Sequence, residues 1–251
     1  MKKLTAFIIL SLISLYSYSQ NTRIKDKNTI GWYVLNVGLK VDEKWSLAGE
    51  FHLRRANIIA DPQQNLLKVA VNRLILPGVN FRAGYALAET YNYGDIPVNT
   101  FGKQFTEHRA YEMLGLNNKF GIVESNHRFM LEQRWVGRYS NASLEKEDGY
   151  VYTNRLRYMY RAQIPLKGRE ITNKTPYAAI YDEVFVGFGK NVNENVFDQN
   201  RLGILLGYRC SPKVRFEGGF LSQIAQLGRE VGGRNVFQHN TGIIVSTNLS
   251  F

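Results

Sequence analysis

The sequence of 251 residues lacks the features that define several common classes of protein. It has a single cysteine, Cys210, which excludes an intramolecular disulfide, a multi-cysteine metal site and a lipid-attachment cysteine near the N-terminus. The mean hydropathy of −0.28 is too low for a polytopic helical membrane protein, which needs several apolar runs of about 20 residues. The hydrophobic fraction of 44% is in turn too high for an intrinsically disordered chain.

Aromatic residues and glycine are abundant instead. The chain has 15 Tyr, 14 Phe and 22 Gly, a combination that favours β structure over a helical bundle. Basic residues outnumber acidic residues by 32 to 21, which gives a formal net charge of +11. Because the basic residues are spread through strand-like segments rather than gathered on one exposed groove, nucleic acid is not predicted as a partner.

The N-terminus has the three-part layout of a secretory signal peptide. Residues 1–3 are a short basic start, residues 4–16 are mostly apolar, and Ser17 and Ser19 are small residues just before Gln20. The apolar run is too short to span a bilayer as a helix. We therefore predict a cleaved signal peptide over residues 1–19, export through the inner membrane, and a mature domain over residues 20–251.

The mature chain is a series of segments in which apolar and polar side chains alternate, each followed by a turn or a polar loop. Successive side chains of a strand point to opposite faces, so each segment has one apolar and one polar face. The last segment shows this most clearly, because Ile243, Val245, Leu249 and the terminal Phe251 share one face. This face is predicted to contact lipid and to act as the C-terminal signal for membrane insertion.

These segments predict an all-β fold, a transmembrane antiparallel up-and-down β-barrel. A soluble β-sandwich would also alternate, but its polar faces would favour Lys, Thr and Ser over the Arg and Glu found here. About eleven strands can be counted, whereas bacterial single-chain barrels have an even number. We therefore expect twelve strands, with ten as the alternative, and an additional weak strand within residues 20–28.

The predicted connections alternate in length, as in outer-membrane barrels. Short ones are expected at residues 42–44, 77–78, 117–121 and 211–213, and longer ones at residues 56–65, 93–104, 140–148 and 228–234. The connection at residues 167–174 is long where a short turn is due.

The polar faces of the predicted strands carry arginine together with glutamate. The charged residues predicted on the inner face are Glu107, Arg109, Arg128, Glu132, Arg134, Arg155, Arg157, Glu183, Arg201, Arg215 and Glu217. Directly opposed side chains on neighbouring strands lie about 5 Å apart, so these groups can form an ion-pair network. Arginine suits such a network because it stays protonated and pairs with carboxylates in a bidentate manner.

Several short stretches, in order along nearly the whole mature chain, resemble the DUF2490 family of Bacteroidota outer-membrane proteins of unknown function. They are Glu107-His108-Arg109 with Tyr111, residues 128–134 (RFMLEQR), residues 155–158 (RLRY), residues 181–183 (YDE), residues 197–202 (FDQNRL) and residues 217–220 (EGGF). The resemblance implies an outer-membrane barrel and implies no reaction.

Two functions fit the predicted inner charges. A network that fills a narrow lumen and fixes strand register predicts a structural barrel, or an accessory to an envelope complex. An excess of arginine over acid instead predicts a narrow, anion-biased pore or binding barrel. Predicted partners are outer-membrane lipid and lipopolysaccharide, the barrel-assembly machinery during insertion, and another envelope protein. No cofactor and no metal site are predicted.

An envelope lipid-modifying enzyme is a third alternative, because small outer-membrane barrels include hydrolases. Such a site needs a nucleophile, a base within hydrogen-bond reach and an orienting group. Pairing the strands around residues 117–121 is expected to bring Glu112 opposite Ser125 or His127, so these three residues are one candidate set. Ser222 and His239 on the last two strands are the other. Neither set makes catalysis the favoured function, and no catalytic residue is predicted.

Overall fold

The computed structural model describes residues 23–192 and 195–251, which form eleven β-strands and no helix. The predicted signal peptide lies outside these residues. The strands are β1 (Ile24–Lys40), β2 (Trp45–Ala56), β3 (Asp61–Leu76), β4 (Val79–Thr90), β5 (Phe105–Phe120), β6 (Val123–Arg138), β7 (Gly149–Pro165), β8 (Thr175–Phe188), β9 (Phe197–Arg209), β10 (Val214–Val231) and β11 (Arg234–Ser250). Consequently, the described part of the chain has no helix that is long and apolar enough to cross a membrane.

The strands close into a barrel in which every strand pairs with its sequence neighbours. All consecutive pairs are antiparallel, and β1 closes the barrel by pairing in parallel with β11. The seam is long, since Ile24 to Gly38 pair with Val236 to Ser250 without a break. A closed barrel has no free sheet edge, which removes the usual site of strand-to-strand aggregation.

The predicted all-β barrel is confirmed, and its strand count lies between the two even numbers expected. The described residues contain eleven strands, the number of segments counted in the sequence. An even number of up-and-down strands makes the first and last strands antiparallel. The odd number observed accounts for the parallel seam. An additional weak strand is expected within residues 20–28, but residues 24–28 belong to β1 and residues 20–22 lie outside the described residues.

Connections join the strands at the two ends of the barrel. The connections after β1, β3, β5, β7 and β9 lie at one end, here called the turn end, and those after β2, β4, β6, β8 and β10 lie at the other, here called the loop end. At the turn end, residues 77–78 and 211–213 form turns as predicted, and residues 166–174 form the unusually long connection. Three predicted connections were too long: residues 117–120, 61–65 and 228–231 belong to strands, because polar residues at a barrel rim continue the backbone ladder. Gly78 has φ +80° in its two-residue turn, a conformation that favours glycine.

The outer surface carries a continuous belt of exposed apolar and aromatic side chains. Leu67, Leu156, Ile180 and Ile204 are between 47% and 52% exposed although they lie at the middle of their strands. Soluble monomers rarely expose apolar patches larger than a few hundred Å². The belt encircles the whole barrel, so the outer face follows the pattern expected for contact with an apolar solvent.

The inner surface carries both apolar and charged side chains. One part is apolar and is formed by a cluster on β3 to β6: Leu66, Ala70, Ala86, Ala88, Tyr111, Met113 and Met130. Elsewhere glycine makes room for inward aromatic rings. At Gly203 any Cβ would collide with the ring of Tyr181 from the neighbouring strand β8. The remaining wall is charged and forms the candidate site.

Candidate functional site

Three glutamates on the inner faces of the barrel are almost completely buried, and one of them, Glu132 on β6, is only 2% exposed. A buried carboxylate requires cationic partners, because the protein interior replaces water poorly. Glu132 accepts hydrogen bonds from Nε of Arg155 at 2.6 Å and from Nη1 of Arg157 at 2.8 Å. Both arginines belong to the neighbouring strand β7, so each carboxylate oxygen binds a different guanidinium.

Glu183 on β8 extends this arrangement across the next strand pair. Glu183 accepts hydrogen bonds from Nη2 of Arg157 at 2.7 Å and from Nη2 of Arg128 at 2.7 Å. Arg157 therefore connects two carboxylates, Glu132 and Glu183, that lie on either side of β7. The three strands β6, β7 and β8 are held in register by side chains as well as by the backbone.

Glu107 on β5 extends the network in the other direction. Both oxygens of Glu107 are bound by Arg109, at 2.7 and 2.8 Å, and Nε of Arg134 is also bonded at 2.5 Å. Arg134 then reaches Asp198 on β9 at 3.4 Å, and Nη1 of Arg155 reaches the same carboxylate at 2.8 Å. The network therefore spans five neighbouring strands, β5 to β9.

Asp198 is a network member that the sequence pattern missed. Arg201 on the same strand is predicted to face inward, so strict alternation would put Asp198 on the outer face. The register between β8 and β9 shifts at this point, between Phe185 and Val186, and the shift turns Asp198 inward as well. A bulge of this kind adds one residue to a strand locally, and alternation alone cannot reveal it.

We refer to this set as the mid-lumen network; its members are Glu107, Glu132, Glu183 and Asp198 with Arg109, Arg128, Arg134, Arg155 and Arg157. Ten of the eleven charged residues predicted on the inner face line interior cavities, and the eleventh, Glu132, is buried against Arg155. Three of them lie outside the network. Glu217 pairs with Arg161 at 2.5 Å and accepts a hydrogen bond from the hydroxyl of Tyr177. Arg215 lies near the turn end, over the ring of Tyr177.

Arg201 is the third predicted inner-face residue outside the network. It belongs to a group of cations stacked on aromatic rings, which the sequence did not predict. Its guanidinium carbon lies 4.5 Å from the centre of the Phe185 ring and 4.8 Å from that of Trp32. Arg157 also lies over Phe185, at 4.4 Å, and Arg54 lies over Trp32 at 3.9 Å. Aromatic faces attract cations, so the two rings support several guanidiniums where carboxylates are too few.

Two chambers lie inside the barrel, one toward the loop end and one toward the turn end. The loop-end chamber has a volume of about 400 Å³ and the turn-end chamber a volume of about 450 Å³. Trp32, Arg54, Arg109 and Arg201 line both chambers, so they form the floor of one and the ceiling of the other. A further ion cluster in the turn-end chamber, again missed from the sequence, joins Glu50 to Lys68 and Arg82.

The connection between β4 and β5, residues 91–104, forms a roof over the loop-end chamber. It starts on one side of the barrel and reaches strands on the opposite side. Tyr93 donates its hydroxyl to Gln238 at 2.7 Å and accepts a hydrogen bond from Asn240 at 3.0 Å. Arg229 on β10 donates to the carbonyl of Pro97 at 2.5 Å. Burial raises the pKa of Tyr93, so its hydroxyl stays protonated and able to donate.

The roof is also tied to the neighbouring loop, residues 139–148. Nζ of Lys103 donates to the carbonyl of Ala142 at 2.6 Å and to that of Leu144. The carboxylate of Glu147 accepts hydrogen bonds from both the backbone N–H and the hydroxyl of Thr106. The contacts of Lys103 fix the roof next to β5, so the roof is anchored on both sides of the barrel.

The two candidate catalytic sets are not assembled. The register places Glu112 opposite Leu131, not opposite Ser125 or His127, because β5 and β6 extend almost to their two-residue turn. His127 bonds Tyr158 instead, at 2.9 Å, and Glu112 accepts from Gln133 at 3.2 Å. His239 likewise faces Ile224 rather than Ser222. Within residues 23–192 and 195–251, no group of three or more His, Cys, Asp or Glu is arranged to hold a metal ion.

Fold and site together define a closed β-barrel with an ion-paired lumen. The chain belongs to the family described as "Protein of unknown function (DUF2490)", whose model matches residues 29–231. A solved structure described as "NanC porin structure in rhombohedral crystal form" is similar to it at 14% identity and a TM-score of 0.45, covering 88% of this chain and 98% of that one. No curated protein matches the chain.

Proposed function

We propose that this chain is an outer-membrane β-barrel whose lumen is closed by the mid-lumen network, and that it serves as a non-conducting, non-enzymatic structural or accessory component of a bacterial cell envelope. The observation that carries the proposal is the burial of Glu107, Glu132 and Glu183, each bound by at least two arginine N–H groups. Groups so fully paired within the lumen leave little capacity to bind a permeating ion.

Membrane insertion is supported by the distribution of apolar surface. The belt on the outer face includes Phe129, Leu156, Ile204 and Phe220, while the buried polar groups face inward. All backbone groups of a closed barrel are paired between strands, and this is the condition for crossing hydrocarbon with β structure. The proposed partners are membrane lipid and lipopolysaccharide around the belt, the assembly machinery that inserts barrels, and another envelope protein at the loops.

Closure of the lumen is supported by its two independent obstructions. The network joins β6 to β9 through Arg134 and Asp198, and the roof formed by residues 91–104 reaches β10 and β11 at the loop end. A porin of this strand number would need a continuous row of weak sites through which a solute could move. Here Arg155 and Arg157 are fixed by paired carboxylates, and moving either one leaves a buried charge without its partner.

The test is conductance of the purified full-length chain in planar lipid bilayers. We expect no steady single-channel steps from the native protein. A variant with the roof shortened between residues 93 and 103 is expected to remain silent too, because the network still closes the lumen. Steady unitary conductance from the native protein would refute the closed barrel and favour an anion-biased pore. Membrane insertion is tested separately: a chain that stays monomeric in buffer without any amphiphile is not a membrane barrel.

An anion-binding barrel is the second candidate, and one observation favours it. The loop-end chamber is lined by six arginines and only two carboxylates, Glu107 and Asp198. The excess of positive charge attracts anions, whether or not they pass through.

A further inference from the structure

Two arginines beside the mid-lumen network, Arg54 and Arg201, make no hydrogen bond to a carboxylate. Arg54 on β2 donates to Oε1 of Gln64 at 2.8 Å, and its Nε is buried without a partner. Arg201 on β9 donates twice to Oε1 of Gln199, and its nearest carboxylate oxygen, on Glu183, is 3.9 Å away. The nine members of the mid-lumen network are paired with each other, whereas these two guanidiniums donate hydrogen bonds to glutamines instead.

The guanidiniums of Arg54 and Arg201 both lie over the ring of Trp32. Their guanidinium carbons are 3.9 and 4.8 Å from the ring centre of Trp32, and both residues are buried. Trp32 is itself fixed, because its Nε1 donates to Gln63 at 2.8 Å. A buried pair of like charges is costly unless an anion compensates it. The floor of the loop-end chamber therefore presents two prearranged guanidiniums, one hydrogen-bonded to a glutamine and the other with its nearest carboxylate oxygen 3.9 Å away.

The walls above this floor are rich in neutral carboxamides. Gln63, Gln64, Gln199, Gln223 and Gln238 line the chamber, and none of them carries charge. Carboxamides both donate and accept hydrogen bonds, which suits hydroxyl groups. Guanidinium groups bind a planar acid group with two parallel hydrogen bonds. The volume of about 400 Å³ lies within the range of small-ligand sites.

We infer that Arg54 and Arg201, stacked on Trp32, form a binding site for a small hydroxylated anion. The single acid group of the ligand lies on the two guanidiniums, and its hydroxyls lie against the glutamines of the wall. The roof of residues 91–104 encloses the ligand from the loop end. The site deepens the second candidate function above and does not require that the lumen conduct.

The test measures binding to the full-length protein in detergent by calorimetry, with glucuronate and glucose 6-phosphate as acidic probes. Glucose is the matched neutral probe. We expect at least one acidic probe to bind, and glucose to bind at least tenfold more weakly. The two acidic probes distinguish a carboxylate from a phosphate as the acid group. If neither acidic probe binds, or if glucose binds as well as they do, the inference is wrong.

Single substitutions of arginine test whether the acidic probe binds at Arg54 and Arg201. Arg54→Gln and Arg201→Gln are each expected to weaken binding of the acidic probe at least tenfold. Arg215→Gln removes an inward arginine that lies over Tyr177 near the turn end, and is expected to change binding by less than twofold. Equal loss in all three variants would show a general effect of charge and would overturn the assigned site. Circular dichroism of each variant verifies that the barrel is folded.

Trp32 provides a direct signal. The other tryptophans, Trp45 and Trp135, are outward and about 40% exposed, so Trp45→Phe with Trp135→Phe leaves Trp32 as the lone indole. Its emission is expected to change on binding. An unchanged emission with calorimetric binding would place the ligand elsewhere and refute the site. The closed barrel is judged by conductance alone, so failure of one proposal is distinguishable from failure of the other.

Discussion

Nε of Arg155 lies 2.6 Å from Oε2 of Glu132, and both side chains are only 2–3% exposed. Each carboxylate oxygen of Glu132 thus has its own guanidinium, on Arg155 and Arg157. Such a pair adds little stability compared with well-packed apolar residues, but breaking it leaves an uncompensated buried charge. The pairing explains why five strands can bury so much charge and still close a narrow barrel.

Removal of the Glu132 carboxylate is therefore expected to destabilise the folded barrel strongly. Glu132→Gln leaves Arg155 and Arg157 short of one negative charge, and we expect it to lower the free energy of unfolding by about 3–5 kcal/mol. Urea titration of the protein in detergent micelles measures the loss. The control is Glu170→Gln, whose pair with Lys119 is exposed to solvent and is expected to be dispensable. A Glu132 variant as stable as the control would contradict a structural role for the network.

Removal of an arginine that has no carboxylate partner is expected to leave the stability of the barrel unchanged or to increase it. Arg54 has a buried Nε without a partner and no carboxylate in reach. Arg54→Gln takes a desolvated charge out of the lumen, so the melting temperature in detergent should stay equal or rise. Arg155→Gln is the matched variant, and its melting temperature should fall because it frees Glu132. A fall of similar size in both variants would mean that Arg54 is a structural cation.

The alternation of faces could be predicted because it depends only on neighbouring residues. Arg155 and Arg157 face inward while Leu156 and Tyr158 face outward, as the period of two requires. The choice of the polar side as the inner side followed from residue type, since arginine pairs with buried carboxylates better than lysine does.

The contacts that cross the lumen could not be predicted in this way. Trp32 and Arg201 lie on strands three places apart around the barrel, and they meet only because β1 pairs with β11. Asp198 faces inward through a shift in register. The roof of residues 91–104 has no periodic pattern, so its inward course depends on partners such as Gln238 that belong to distant strands.

The roof should control access to the loop-end chamber. Tyr93→Phe with Arg229→Gln removes the hydrogen bonds that tie residues 91–104 to β10 and β11. In the background with Trp32 as the lone tryptophan, we expect faster collisional quenching of its emission by acrylamide. Tyr139→Phe, which loses one hydrogen bond to Gln104 on the near side, is the control. Unchanged quenching in the double variant would show that the roof does not limit entry.

The apolar belt predicts that the cost of a charge depends on its height along the barrel. Ile204 lies at the middle of β9 and faces outward, 52% exposed, whereas Tyr208 on the same face lies near the turn end. In a bilayer, Ile204→Arg is expected to destabilise the folded barrel by about 2–4 kcal/mol, and Tyr208→Arg by about 0–1 kcal/mol, because arginine near the interface reaches water. Reversible folding into phospholipid vesicles, followed by tryptophan emission and urea titration, measures both. If the two variants lost the same stability, or if neither lost any, hydrocarbon would not surround the belt and the membrane-spanning assignment would be wrong.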